Sequence, residues 1–189
     1  MEYLDIVDEQ GQPTGEIVSR TLAHTEGIRH RTAHIWIVRR ENEHFQVLMQ
    51  KRAMSKDSFP GKYDTSSAGH IQAGDEPLAS GLRELAEELG IHAKPEDLEF
   101  AGCIHGNFAE EFHGKIFRDN EIAFVYVYQQ PVDIETLVLQ KEEVESVRWF
   151  DLEETYRQCS QHRDKFCVPL GGLQLVRQFI KSNNNTIKE

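Results

Sequence analysis

Three carboxylates lie close together in the segment "RELAEELGI", which runs from Arg83 to Ile91. On a helix, Glu84, Glu87 and Glu88 stand at positions i, i+3 and i+4, so their side chains project from one face within one turn. Hard oxygen ligands in such an array suit Mg²⁺ or Mn²⁺, and these ions in turn suit phosphate chemistry. A solvated acidic helix face is the alternative interpretation, because runs of charge are usually just that.

The helix that carries these acids has clear limits in the sequence. Pro77 suits the first helical turn, and Gly90 suits the position just after the last turn, where a left-handed backbone favours glycine. The face opposite the acids carries an apolar stripe suited to a core. Its members are Leu78, Leu82, Leu85, Ala86 and Leu89. We therefore predict a helix from Pro77 to Leu89 that is anchored on one side and presents carboxylates on the other.

The other elements predict one α+β domain over residues 1–181, with helices packed on a mixed sheet. Apolar residues alternate on both sides of "EQGQPTG", which indicates an N-terminal β-hairpin over residues 1–20. Four further strands are predicted at "AHIWIV", "FQVLMQKR", "LEFAGCIHGNF" and "NEIAFVYVYQQP". A strand and a helix follow in "QKEEVESVRWFDLEETYRQC", and "PLGGLQLVRQFIK" predicts a last amphipathic helix. Residues 182–189 are expected to form a flexible tail.

Composition limits the partners and the compartment. The 189 residues carry a formal net charge of −11, and no basic stripe is present to bind a nucleic-acid backbone. The three cysteines form no close pair, which favours reduced thiols over a disulfide framework. The longest apolar run, "IAFVYVY", is far shorter than the roughly 20 residues of a membrane helix. Since no secretory signal is visible either, we predict a cytoplasmic protein without a membrane or nucleic-acid partner.

The spacing upstream of the acids is specific. Gly69, five residues, Asp75, seven residues and then "RELAEELGI" resemble the signature of the Nudix hydrolases, in which a glycine and an acid precede R-E-hydrophobic-x-E-E-x-G-hydrophobic. Asp75 stands where that family usually has Glu. The resemblance implies the Nudix fold, a mixed β-sheet sandwiched between helices, with the box over residues 69–91. It also implies hydrolysis of a diphosphate bond in a nucleoside diphosphate-linked or related substrate, Mg²⁺ or Mn²⁺ as cofactor, and a homodimer as a common arrangement.

The resemblance also implies roles within the box. Glu87 and Glu88 would be metal ligands, and Glu84 would be a third ligand or the group that orients or deprotonates water. Arg83 would pair with an acid of the box, such as Glu87, and so lock the loop. Asp75 would serve the loop or the outer shell of the metal. The remaining box residues would shape the backbone, and these are Gly69, Gly74 and Gly90.

The segments "RAMSKDSFPGKYDTSSAGH" and "RDNEIAFVY" are similar to the isopentenyl diphosphate isomerases and their hydrolase relatives. The residues in places comparable to the isomerase metal ligands are His24, His30, His70, Asp119 and Glu121. The spacing between His24 and His30 differs from the isomerase pattern. Alternatively, His70 forms only a backbone hydrogen bond, and His30 is a structural residue beneath the sheet. Glu121 opens a strongly apolar strand, which is costly unless it serves a site, so we predict it as a further base or ligand.

The same resemblance points to cations for the substrate. Arg52 and Lys56 match basic residues that face the diphosphate in the isomerases, and two phosphates need cations beyond the metal. Lys56 and Lys62 could equally be solvated loop residues, and Lys62 is interpreted as one. Trp149 is interpreted as core packing, with stacking on a base as the alternative.

Two departures favour a hydrolase over an isomerase. The isomerases have a Cys that moves a proton at the position of Ala68, and the methyl group of Ala68 cannot do so. They also carry a basic residue where this chain has Glu84. An isopentenyl diphosphate isomerase-like enzyme is therefore one alternative. A non-catalytic Nudix-fold nucleotide-binding module is the other, although such a module would be expected to lose the acids of the box.

Overall fold

The structure, a computed structural model, describes residues 1–186 of the chain. Its strands are β1 (Tyr3–Val7), β2 (Pro13–Ser19), β3 (His30–Glu41), β4 (His44–Arg52), β5 (Tyr63–Asp64), β6 (Ser67–His70), β7 (Leu98–Phe112), β8 (Lys115–Tyr128) and β9 (Val144–Asp151). Its helices are α1 (Arg20–Glu26), α2 (Pro77–Leu89), α3 (Leu152–Gln161) and α4 (Leu170–Thr186), with 3₁₀ turns at Pro95–Asp97 and Ile134–Thr136.

The main sheet is mixed and lies between helices. Its order is β5-β4-β3-β8-β7, with β6 also paired to β3 and β9 to β4. Strands β3 and β8 run parallel, and the other pairs are antiparallel. Leu85 and Leu89 of α2 pack on one face with Ile35, whereas Leu173 of α4 packs on the other face with Trp36. The predicted mixed sheet between helices is confirmed.

The N-terminal hairpin is also confirmed, because β1 and β2 pair antiparallel as a separate two-stranded sheet. Helix α1, which the sequence analysis did not predict, follows it directly. The Ser19 side chain accepts a hydrogen bond from the backbone N–H of Leu22, and Gly27 ends the helix with φ 71°. Of the tail predicted over residues 182–189, residues 182–186 continue helix α4. Residues 187–189 lie outside the described residues.

The hairpin of β7 and β8 is longer than predicted. Its pairing runs from Leu98 opposite Tyr128 to Phe112 opposite Lys115. His113 and Gly114 connect the strands with φ values of 51° and 75°. Two consecutive left-handed residues are typical of a tight two-residue hairpin turn. Residues 105–112 and 115–119 are therefore regular strand on either side of this turn.

One face of β3 and β8 serves two purposes along its length. Side chains alternate across a strand, and His30, Thr32, His34 and Trp36 are in register with Glu121, Ala123, Val125 and Val127. Trp36, Val125 and Val127 pack in the core beneath α4. Thr32, His34 and Glu121, farther along the same face, line a cavity. No helix within residues 1–186 combines the length and the apolar composition needed to cross a membrane.

Candidate active site

A cavity of about 410 Å³ collects most of the residues that the sequence predicted for a site. Helix α2 supplies one wall, β6 and the start of β3 another, and β8 a third. The predicted residues that line it are Arg52, Lys56, Gly69, His70, Arg83, Glu84, Glu87, Glu88, Asp119 and Glu121, together with His24. His30 is fully buried next to this cavity. Gly74, Asp75 and Gly90 lie outside its lining.

On α2, Glu88 is buried and the Glu84 side chain is largely buried, with an exposure of 12%. The Glu88 carboxylate accepts hydrogen bonds from the Ala68 backbone N–H and the Gln50 amide, each at 3.2 Å. Burial raises the pKa of Glu88 to about 8 and that of Glu84 to about 7. The Glu84 carboxylate lies directly against the backbone of Gly69, where an added Cβ would be 2.1 Å from Glu84 Cδ. Only glycine leaves room for Glu84 in this position.

Arg83 connects the exposed side of α2 to strand β6. Its Nη1 lies 2.9 Å from Glu84 Oε1 and 3.5 Å from Glu87 Oε2, and its Nη2 donates to the His70 backbone carbonyl at 3.1 Å. Glu87 is the most exposed of the three acids, with a side-chain exposure of 53%. Arg83 therefore spans two box acids and the strand that follows the glycine, in line with the pairing expected from the sequence.

The loop that leads into α2 is fastened by the N-terminal hairpin. Gly74 has φ 85°, and its N–H donates to Asp5 Oδ2 at 3.0 Å. Arg31 donates to the same Asp5 oxygen at 2.9 Å and to the Asp75 carbonyl at 3.2 Å. Asp75 itself is exposed. Asp5 was not predicted as a site residue, although a charged residue within an otherwise apolar strand end was a signal for it.

Buried imidazoles and acids form two groups beside the box. The ligand atoms of His24, His30 and His70 lie within 4.8 Å of one another, and so do those of His30, Asp119 and Glu121. His24 Nε2 lies 3.0 Å from His70 Nε2, and His24 Nδ1 lies 3.7 Å from Asp119 Oδ1. The structure thus brings together the five residues that were compared with the isomerase ligands, including His24.

The protonation of His30 follows from its hydrogen bond. His30 Nδ1 lies 2.9 Å from the Ile28 carbonyl and must donate to it, which leaves Nε2 of the neutral ring as an acceptor. This Nε2 faces Asp119 Oδ1 at 3.7 Å. Within residues 1–186 neither atom has a hydrogen-bond partner, although both are buried. Two unpaired buried acceptors that face each other fit a cation between them.

Burial shifts the pKa values of these groups away from the charged forms. It raises the pKa of Asp119 and of Glu121. It lowers the pKa of His24 to about 4, with repulsion by His30 adding to the effect, and it lowers the pKa values of His30 and His70. Neutral imidazoles can bind a cation, and a cation would in turn favour ionised carboxylates.

His34 is a buried polar residue that the sequence analysis passed over. Its Nε2 lies 3.6 Å from Glu121 Oε1 and 3.2 Å from Thr32 Oγ1. Burial lowers the pKa of His34, so the ring is neutral near pH 7. The available signal was a histidine within the otherwise apolar strand "AHIWIV".

The predicted substrate cations are already paired with carboxylates. Arg52 Nη1 donates to Asp64 Oδ2 at 3.0 Å, and its Nε donates to the Ser58 carbonyl at 3.1 Å. Lys56 Nζ forms an ion pair with Glu143. Both cations and both acids line the cavity. A bound diphosphate would therefore have to compete with these pairs.

Two other predicted residues lie away from the cavity lining. Lys62 donates to the Arg163 carbonyl at 2.6 Å. Trp149 packs against the core beneath α2, and the Arg39 guanidinium lies 4.2 Å from the centre of its ring. Trp149 therefore has the packing role, and its ring does not face the cavity.

The Nudix domain family matches residues 28–167 of the chain, which include the box and every residue of the imidazole–acid groups except His24. The chain belongs to the Nudix family. An uncharacterized Nudix hydrolase of Clostridium acetobutylicum is 41% identical over 156 residues, covering 82% of this chain and 73% of that protein. Nudix hydrolase 3 of Arabidopsis thaliana is 38% identical over 175 residues, covering 89% of this chain. This chain spans only 21% of the length of the Arabidopsis protein.

Solved Nudix-type structures share the fold at low sequence identity. The protein DR0079 of Deinococcus radiodurans matches with a TM-score of 0.66 and 18% identity, covering 93% of this chain and 98% of that one. The NUDIX domain of Shewanella oneidensis NrtR, solved with ADP ribose, has a TM-score of 0.56 at 17% identity and covers 80% and 86%. The dihydroneopterin triphosphate pyrophosphohydrolase of E. coli has a TM-score of 0.55 at 16% identity and covers 80% and 95%. These similarities establish the Nudix fold.

Proposed function

We propose that this Nudix protein is a metal-dependent hydrolase that cleaves the diphosphate bond of a nucleoside diphosphate linked to a further group. The observation that carries the proposal is the convergence, in one cavity, of the box acids, the buried imidazole–acid groups and two cationic side chains. Carboxylates and neutral imidazoles supply ligands for a cation, and Arg52 and Lys56 supply charge for phosphates.

Two groups of donor atoms among the described residues are close enough to hold a divalent cation, namely His24 with His30 and His70, and His30 with Asp119 and Glu121. Glu84, Glu87 and Glu88 offer hard oxygens that suit Mg²⁺ or Mn²⁺. The second ligand set would be His30, His70, Asp119 and Glu121, with His24 beside them. Imidazole nitrogens favour transition metals, so Mn²⁺ fits this mixed set better than Mg²⁺ does. When bound, the metal would neutralise charge on the diphosphate and make water a better nucleophile.

The side chains of the chain have distinct tasks in this mechanism. Glu121, or Glu84, would accept the proton from the attacking water, because each is a buried acid at the cavity wall with a pKa raised toward neutrality. Arg52 and Lys56 would bind the phosphates and stabilise the leaving phosphate. To do so, they must exchange their present carboxylate partners, Asp64 and Glu143, for phosphate oxygens. Arg83 would hold the α2 acids in place.

The fold neighbours suggest which compounds to test first. ADP ribose is bound in the Shewanella structure, a dihydroneopterin triphosphate is the substrate named for the E. coli enzyme, and a C. elegans neighbour is named as an Ap4A hydrolase. These names describe those proteins, whose low sequence identity to this chain supports a shared fold and no shared substrate. Their ligands and substrates nevertheless suggest a test panel of nucleotides, nucleotide sugars and dinucleotides.

The test is hydrolysis of this panel at mildly alkaline pH with Mg²⁺ or Mn²⁺, with the two phosphorylated products separated and identified by chromatography. We expect metal-dependent cleavage of at least one compound and a rate lower by two or more orders of magnitude in Glu88→Gln. Gln has the same shape and keeps the buried position without an ionisable group, so the thermal unfolding temperature should not fall. Glu96→Gln, which changes an exposed acid outside the cavity lining, is the matched control.

Normal turnover by Glu88→Gln on the best substrate would contradict the mechanism. No cleavage of any compound, with intact binding, would favour the nucleotide-binding module. Isopentenyl diphosphate belongs in the panel and would be checked for double-bond migration, although Ala68 offers no group that could transfer a proton. A cytoplasmic location and a homodimer stay predictions from the sequence.

A further inference from the structure

Four phenylalanines form an aromatic cluster at one end of the cavity, and no role proposed above uses them. The cluster consists of Phe59 from the loop after β4, Phe108 and Phe112 from β7, and Phe117 from β8. The ring centres lie 5.6 Å apart for Phe59 and Phe108, 4.8 Å for Phe59 and Phe112, and 6.1 Å for Phe108 and Phe117. All four side chains remain partly exposed. Phe59, Phe108 and Phe117 line the cavity itself.

The cluster is continuous with the proposed catalytic groups. In the register of the hairpin, Phe108 is opposite Asp119 and Phe117 is opposite Glu110. Because side chains alternate, Phe108, Phe117, Asp119 and Glu121 share one face of the hairpin. Phe117 also stacks on the His24 ring, with centres 4.2 Å apart and planes 19° from parallel. A substrate whose diphosphate meets the acids would therefore extend its other end over these rings.

Phe59 is held in an unusual backbone conformation at this place. Its φ is 49°, in the left-handed region that a bulky residue seldom adopts, and a proline follows it, which normally favours extended backbone. The segment "SFPG" tolerates this conformation while the Phe59 ring contacts Phe108 and Phe112 across the cavity margin. Strained backbone of this kind is concentrated at functional sites.

The surroundings of the rings favour a planar ligand over an aliphatic chain. Apart from the three phenylalanines, the cavity is lined mainly by charged and polar side chains. A saturated chain needs apolar contact on all sides, and here it would meet rings on one side only. A nucleobase can cover ring faces with its own face and keep its polar edges toward polar groups or water. Since Trp149 lies outside the cavity lining, the phenylalanines are the residues placed to stack.

We propose that Phe59 and Phe108 form the subsite that binds the nucleobase of the substrate by stacking. This inference rests on the proposed function for the position of the diphosphate. It assigns the substrate class to nucleotides, not to prenyl diphosphates. It also predicts tolerance among bases, because every base offers a π-face and the rings themselves make no hydrogen bonds to base edges.

The test measures equilibrium binding, so that it does not depend on turnover. Calorimetry in Mg²⁺ would compare α,β-methylene-ADP, which resists hydrolysis, with methylenediphosphonate, which has the same phosphate-like groups without a nucleoside. Isopentenyl diphosphate is the third ligand. We expect Phe59→Ala and Phe108→Ala each to weaken α,β-methylene-ADP binding about 5- to 150-fold, the range of one base–aromatic stack, and to leave methylenediphosphonate within about 2-fold. Phe108→Trp should restore binding of α,β-methylene-ADP.

The matched control is Phe100→Ala, which removes an exposed ring of the same hairpin that is not part of the cavity lining. Unchanged α,β-methylene-ADP binding in both cluster variants, with folding verified by thermal unfolding, would overturn the proposal. So would isopentenyl diphosphate if it bound more tightly than α,β-methylene-ADP and lost affinity in the same variants. If the wild-type protein hydrolyses a nucleotide but Phe59→Ala and Phe108→Ala bind α,β-methylene-ADP as tightly as the wild type, this inference alone is refuted. Ring-dependent nucleotide binding without any hydrolysis would support it and refute the proposed function.

Discussion

The two ends of one sheet face, on the same two strands, have opposite characters. Trp36 and Val127 are opposite each other in register, and both are fully buried beneath α4. Six residues earlier in each strand, His30 and Glu121 are opposite each other beside the cavity. The alternation of the strands decides only that these four side chains share a face. Whether a helix packs over that part of the face decides whether it becomes core or site.

The difference between the ends is also energetic. At the apolar end, burial removes hydrocarbon from water and stabilises the fold. At the polar end, burial takes ionisable groups out of water, and the raised pKa values of Asp119 and Glu121 express that cost. We therefore expect substitutions at the apolar end to change stability and those at the polar end to change activity.

The largest effect should come from Glu121→Gln. Loss of an acid that accepts a proton from water should reduce kcat by about 10²- to 10⁴-fold, whereas removal of a buried ionisable group should leave the unfolding temperature unchanged or higher. The measurement pairs steady-state kinetics with thermal unfolding. Glu111→Gln, on an exposed residue of the same hairpin, should behave as wild type in both. Equal losses of stability and activity in Glu121→Gln would make this residue a part of the core, not of the site.

At the apolar end, Trp36→Ala should lower the free energy of unfolding by about 3–5 kcal/mol, the usual cost of a large buried cavity. Denaturant titration measures this change. At a temperature where the variant remains folded, its KM and kcat should stay close to those of the wild type. A selective loss of activity in a stable Trp36→Ala protein would show that the two ends are not independent.

Two Gly→Ala substitutions, one beside the site and one on the core side of α4, test the same comparison with a smaller change. Gly69→Ala should displace the Glu84 carboxylate, since the new Cβ would lie 2.1 Å from Glu84 Cδ, and activity should fall about 10-fold or more in a folded protein. Gly172→Ala, by contrast, places a Cβ 3.4 Å from Ile104 and Trp36, which is ordinary contact. Its unfolding free energy should change by no more than about 1 kcal/mol. Wild-type kinetics in Gly69→Ala would mean that the position of Glu84 is unimportant.

The smallest expected effect is a pH dependence of stability in protein treated with a chelator. Between pH 7.2 and pH 8, four folded acids keep protons that the unfolded chain has already released, because burial raises the folded pKa values of Glu84 and Glu121 to about 7 and those of Glu88 and Asp119 to about 8. Stability should therefore fall by about 1–2 kcal/mol as the pH rises through this window. The buried histidines, whose folded pKa values are lowered, are neutral in the folded protein and mostly neutral in the unfolded chain above pH 7.2, so they offset only a small part of this fall.

Denaturant titrations at pH 7.2, 7.6 and 8.0 would measure this slope. Glu88→Gln should make the slope shallower, and saturating Mg²⁺ or Mn²⁺ should reverse it because the cation favours ionised acids. A wild-type slope of the opposite sign would show that these acids are ionised in the metal-free folded protein.

Local patterns were sufficient for helix α2 and the N-terminal hairpin. The predicted helix limits, Pro77 and Leu89, are those of the structure, because a proline, a 3.6-residue apolar period and a terminal glycine are all local signals. The spacing of the box likewise indicated the family. The short helix α1 was missed because its seven residues carry too little periodicity to compete with the hairpin before it.

Tertiary structure alone decided how the site is assembled. His30 and Asp119 are 89 positions apart, and only the parallel pairing of β3 with β8 places their unpaired atoms 3.7 Å apart. In the same way, the pairing of the N-terminal hairpin with the box loop brings Asp5 to Gly74, and the length of the β7–β8 hairpin brings Phe108 to Phe59. Residue type and local period determine which elements form and which side chains each can offer. Which of those side chains meet depends on the register of distant strands and on what packs over them, and neither is encoded in any local window of the chain.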